Sequence, residues 1–127
     1  MANASLFIGW GVIVRGREEL ALRVLEEASQ TWERFTKEDR LEGWDGFFLE
    51  PHGGDLEGFF LLHGSEERLA ELRRDDQFQR IVQRGRLVVD SFGVVPGINI
   101  RAEATDQGGC EKRFRQALID LDLVGPR

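Results

Sequence analysis

The stretch that decides the fold is Asp45-Gly46-Phe47-Phe48-Leu49-Glu50-Pro51-His52-Gly53-Gly54-Asp55-Leu56-Glu57-Gly58-Phe59-Phe60-Leu61-Leu62-His63-Gly64. Two aromatic, apolar runs, Gly46–Pro51 and Gly58–His63, flank the turn-forming residues His52-Gly53-Gly54-Asp55. Apolar runs separated by a glycine-rich turn read as a β-hairpin. An apolar strand and an amphipathic helix precede it. A helical segment and a further strand follow. The order is therefore β-α-β-β-α-β.

Working outward, Leu6–Arg15 reads as a central strand. Leu6, Ile8, Trp10, Val12 and Val14 share one face, and Phe7, Gly9, Gly11 and Ile13 the other. Both faces are apolar or small, which fits a strand covered on both sides. Gly9 and Gly11 leave a flat track, read as a site of close helix packing or as a ligand floor, the former preferred. Gly16-Arg17-Glu18-Glu19 opens a helix with acids in its first turn. Leu20, Val24, Leu25, Ala28, Trp32 and Phe35 follow at helical spacing, which makes Trp32 a core residue. Ser65 is an N-cap candidate. The apolar register breaks across Arg73–Asp76, so two short helices at an angle, or one kinked helix, are expected, with Gly85 as the end. Leu87–Val95 reads as the fourth strand, closed by Pro96-Gly97. Glu103–Gly109 is polar loop, and Phe114, Ala117, Leu118 and Leu121 predict a third helix over Glu111–Leu121. The expected organisation is one α+β domain over residues 1–102 and a loop-and-helix extension over 103–127.

Composition narrows the function classes. A chain of 127 residues is one domain. A net charge of −6, with basic residues scattered among acids, argues against nucleic acid as a partner. The single cysteine, Cys110, excludes an intramolecular disulfide and a cysteine zinc site within one chain. The N-terminus lacks the charged region of a secretory signal, and the apolar run Leu6–Val14 is too short to span a bilayer. A cytoplasmic location without membrane association is the expectation.

The element order resembles that of the ferredoxin-like dimeric α/β-barrel superfamily, which includes antibiotic-biosynthesis-type monooxygenases. Asp75-Asp76-Gln77-Phe78-Gln79-Arg80-Ile81-Val82 is similar to the segment that precedes the last strand in that superfamily. The resemblance covers about residues 5–100 and is architectural. It implies a four-stranded antiparallel sheet with the second and fourth strands at the edges. It also implies a homodimer whose sheets pack face to face, which would account for strands apolar on both sides. The superfamily hosts monooxygenases, haem degraders, isomerases and stress-response proteins, so the fold selects no reaction. The histidine that ligates haem iron on the second helix of the resembling haem degraders has no counterpart in Ser65–Arg84, and their first-strand asparagine is missing from Leu6–Arg15. No cofactor is expected.

Three side chains are candidates for acid–base chemistry. His63 ends a strand just before a helix N-terminus and can serve as general acid or base, or simply bond a loop carbonyl. Glu50 and Asp90 read as acids inside apolar strands. Either becomes a general-base candidate if it faces a cavity, or a charge that protects an edge strand from aggregation. His52 lies in the turn. If Pro51 pairs with Gly58, the two histidines are about 15 Å or more apart and cannot share one metal within a chain. No metal site is expected. The leading expectation is a homodimer with a small-molecule cavity between sheet and helices, near Trp10, Phe48, Phe59 and His63. The alternatives are a cofactor-independent monooxygenase- or isomerase-like enzyme on a small aromatic substrate, using His63 with Glu50 or Asp90, and a purely structural or regulatory dimer.

Overall fold

The computed structural model describes residues 2–101 and 109–125. In chain order the elements are β1 (Ala4–Trp10), α1 (Glu18–Lys37), β2 (Gly43–Phe48), β3 (Gly58–Gly64), α2 (Glu66–Arg73), α3 (Asp76–Val88), β4 (Gly93–Ile98) and α4 (Gly109–Asp120). The four strands form one antiparallel sheet in the order β2-β3-β1-β4, so β2 and β4 are the edges. This is the ferredoxin-like βαββαβ arrangement with an added C-terminal helix. The expected loop Glu103–Gly109 and the Cys110 side chain lie almost wholly outside the described residues.

Strand alternation sorts the side chains into two layers. Ala4, Leu6 and Ile8 of β1 and Phe60 and Leu62 of β3 point to the helices and are buried. They meet Ala28, Trp32 and Phe35 of α1, Leu69 and Leu72 of α2, and Phe78 and Ile81 of α3 in one continuous core. Trp32 is completely buried and packs against Phe35, Phe60 and Phe78, as its place in the helical stripe predicts. Leu20, assigned to the same stripe, is instead half exposed, and Ala21 and Thr31 are the buried partners.

Several expected boundaries move, each for a local reason. β1 stops at Trp10 rather than Arg15. Beyond it the chain leaves the ladder and pairs with the segment after α3. The Gly11 N–H donates to the Asp90 carbonyl at 2.7 Å, and the Asp90 N–H donates to the Val12 carbonyl at 2.8 Å. A Cβ at Gly11 would sit 2.8 Å from that Asp90 oxygen, so the close approach needs glycine. Gly9 is neither a helix-packing track nor a cavity floor. It lies beside the Phe7 ring and Leu56, on the sheet face away from the helices.

α3 runs on to Val88, through Gly85, where a helix end was expected. Gly85 is buried, and the ring of Phe92 lies where its side chain would be. β4 accordingly begins at Gly93 and passes through Pro96, which an edge strand tolerates because the proline nitrogen can face away from the ladder. Asp90 is thus in the α3–β4 connection, exposed, and not in a strand. In the hairpin, β2 starts three residues earlier than its sequence run. Phe48 pairs with Gly58, and Glu50, Pro51 and His52 belong to the loop. The expected break across Arg73–Asp76 is present as the α2–α3 junction. Ser65 caps α2 and Asp75 caps α3, its carboxylate accepting from Gln77 and Phe78 N–H.

Candidate functional site

Between sheet and helices lies a cavity of about 90 Å³. Ile8, Trp10 and Phe60 form its floor, Leu25, Ala28 and Trp32 of α1 one wall, and Ile81, Gly85 and Val88 of α3 the other. Every lining residue is apolar or glycine. Its mouth carries Ile13, Leu22 and Phe48, all exposed, the last by 74%. One polar atom in this region has no partner. The Trp32 indole Nε1–H is buried and makes no hydrogen bond. A buried N–H left in this state costs about 1–3 kcal/mol.

Among the described residues, the core helices α1, α2 and α3 leave the opposite sheet face uncovered. Phe7, Phe59 and Phe47 stack in sequence across three strands, with centroid separations of 5.1 Å for Phe7–Phe59 and 5.1 Å for Phe47–Phe59. Leu61 and Val95 flank Phe7 in register. One strand row further, the face turns polar. The His63 Nδ1 lies 2.8 Å from Ser5 Oγ, directly opposite it on β1. The His63 Nε2 lies 2.8 Å from Asp45 Oδ2 on β2. An ionised carboxylate only accepts, so Nε2 carries the proton toward Asp45. Nδ1 of the neutral ring then accepts from the Ser5 hydroxyl. Three neighbouring strands thus align serine, imidazole and carboxylate in one chain of hydrogen bonds.

This arrangement differs from the expected one in two ways. Of the cavity residues expected from sequence, Trp10 and Phe48 line it, whereas Phe59 and His63 point to the other face. His63 lies near the end of β3 opposite Gly43, while Glu50 follows Phe48 at the far end of β2 and Asp90 precedes β4 at the far end of that strand. Five residues of strand separate the Gly43 and Phe48 rows, roughly 17 Å. The structure therefore separates His63 from both acids proposed for it and supplies Asp45 and Ser5 instead. His52 is exposed, yet both ring nitrogens are engaged: Gly54 N–H donates to Nδ1, and Nε2 donates to the Leu56 carbonyl. It staples the hairpin loop. Among the described residues, no group of three histidine, cysteine or acidic side chains could hold a metal ion, and no helix is long and apolar enough to cross a membrane.

Neither a family model nor a curated protein matches the sequence. Solved structures do match the fold. A dimeric protein of unknown function and ferredoxin-like fold from Bacteroides fragilis aligns with a TM-score of 0.55 at 8% identity, covering 75% of this chain and 95% of that one. A conserved protein from Methanosarcina mazei gives 0.56 at 12% identity, covering 76% and 93%. A candidate antibiotic biosynthesis monooxygenase from Chloroflexus aurantiacus gives 0.50 at 12% identity, again covering 76% and 93%. At these identities the likeness is one of architecture alone, that of the ferredoxin-like fold.

Proposed function

We propose that this protein is a homodimer that binds a small apolar or aromatic molecule in the cavity between its sheet and helices. The observation that carries the reading is the all-apolar cavity, open at Phe48 and Leu22. The all-apolar lining favours a hydrocarbon body. No titratable side chain lines the cavity, which supports binding there rather than acid–base chemistry. The bare aromatic face of the sheet, an apolar surface that water would otherwise cover, supports a second copy packed there.

Titration with a panel of small aromatic ketones, phenols and hydrocarbons, followed by tryptophan fluorescence and calorimetry, tests the binding reading. Saturable binding to the intact protein is expected. Ala28→Leu fills the space beside Trp32 and should abolish binding while the circular dichroism spectrum is unchanged. Binding that survives Ala28→Leu in a folded variant would place the ligand elsewhere. A panel with no binder would favour the purely structural or regulatory dimer.

A further inference from the structure

We propose that Asp45, His63 and Ser5 form a nucleophilic site on the open sheet face, in which Ser5 takes acyl groups from small activated esters. The inference is independent of the cavity, which lies on the other side of the sheet and shares none of these residues. It rests on two hydrogen bonds of 2.8 Å that join the three side chains in the order a base-activated hydroxyl requires.

Asp45 holds the Nε2–H tautomer and stabilises the imidazolium when it forms. The second ring nitrogen, Nδ1, is thereby left as the base and already touches the Ser5 hydroxyl. The strands fix these positions. Ser5 and His63 are a directly opposed pair between two central strands, and Asp45 stands on the same face of the adjoining edge strand. His63 is 30% exposed in its side chain and Asp45 57%, one row beyond the Phe7–Phe59–Phe47 patch on which the proposed second copy would sit. Phe7 and Leu61 are the next residues on this face of their strands.

The step balances without a cofactor. The Ser5 Oγ–carbonyl carbon bond forms as the carbonyl π pair moves to oxygen, and the hydroxyl proton passes to His63 Nδ1. The tetrahedral adduct collapses, the ester C–O bond breaks, and His63 returns its proton to the departing alkoxide. Water, deprotonated by the same nitrogen, then releases the carboxylic acid and regenerates Ser5.

The full-length protein is incubated with p-nitrophenyl acetate and, separately, with an alkyl fluorophosphonate. Released nitrophenolate is followed, and the modified residue is mapped by peptide mass spectrometry. An adduct on Ser5 is expected, with release of nitrophenolate. Ser5→Ala should remove the adduct. His63→Gln should slow acylation by about 100-fold, the scale of a lost general base. Asp45→Asn should slow it by at least about tenfold, because an amide can hold the wrong tautomer. Ser5→Ala and Asp45→Asn are conservative and partly exposed, and their folding is checked by circular dichroism. An adduct on His63 or elsewhere, an unmodified wild-type protein, or an unchanged rate in folded Ser5→Ala would each overturn the assignment.

Discussion

Asp75 shows how one side chain can serve two elements. It caps α3 through the Gln77 and Phe78 N–H groups and receives the Arg40 guanidinium at 2.8 Å, while Arg40 lies over the Phe35 ring at 4.5 Å. Partial burial pushes its carboxyl up, but the Arg40 hydrogen bond, the two backbone N–H groups and the Arg40 charge together outweigh that and hold it below the usual carboxylate range. A lowered folded pKa stabilises the fold above the unfolded value, about 3.9, and this stabilisation is lost as pH falls through the folded value. Asp75→Asn keeps an N-cap acceptor and removes the charge. Urea denaturation at several pH values should show wild type more stable than the variant above about pH 4, with the gap closing at lower pH. A gap constant with pH would mean that the Arg40 pair contributes nothing through charge. At this scale the sequence was partly legible. Trp32 and Ser65 declare themselves through local spacing, and they are found as read. The partners of His63 do not, because Ser5 and Asp45 are 58 and 18 residues away and meet it only through strand register.

At the scale of elements, the misplaced boundaries share a cause. Glycine and β-branched residues were read by local propensity, and tertiary contact overrode it. Gly85 has the look of a helix end but is the point where Phe92 crosses α3, so the helix continues through Leu87-Val88 despite their strand-like character. An ordinary mid-helix Gly→Ala change stabilises by about 1 kcal/mol. Here the new methyl would lie 2.7 Å from a ring carbon of Phe92. Gly85→Ala should therefore destabilise by about 1 kcal/mol net, since overpacking costs typically 1–3 kcal/mol. A rise in the urea midpoint would show that the Phe92 ring moves aside freely. The hairpin slip has the same origin. Phe47-Phe48-Leu49 is a continuous apolar run with no alternation to mark its start, and Gly43-Trp44, which begin the strand, carry no strong local signal.

At the scale of the molecule, element order and strand order were legible, because a β-α-β-β-α-β string leaves few ways to close a sheet. Which faces are covered was not. Apolarity on both sides of β1 is equally consistent with two helix layers and with one helix layer and a second copy. The described helices of the core, α1, α2 and α3, cover one side only, and the bare face gives the homodimer proposal its testable form. Light scattering at low micromolar concentration should give twice 14.5 kDa. Phe47 is 48% exposed on the open face of an edge strand, so Phe47→Glu should leave the fold intact and return the monomer mass. A wild-type monomer would remove the sheet-to-sheet reading. A dimer that survives Phe47→Glu would move the interface elsewhere, for instance to α4 and the turn after it, where Phe114 and Leu121 are exposed.

β1 carries residues of both faces on one seven-residue strand, Leu6 and Ile8 turned inward, Ser5 and Phe7 outward. Side-chain direction along it has a period of two residues. Removing Phe7 would therefore draw Leu6 into its place on the open face and the Ser5 hydroxyl into the interior position of Leu6. Length, more than composition, is what this strand cannot vary. Point substitutions at Ser5 or Phe7 change one surface, whereas a one-residue deletion inside the strand would disturb the core and the opposite face together.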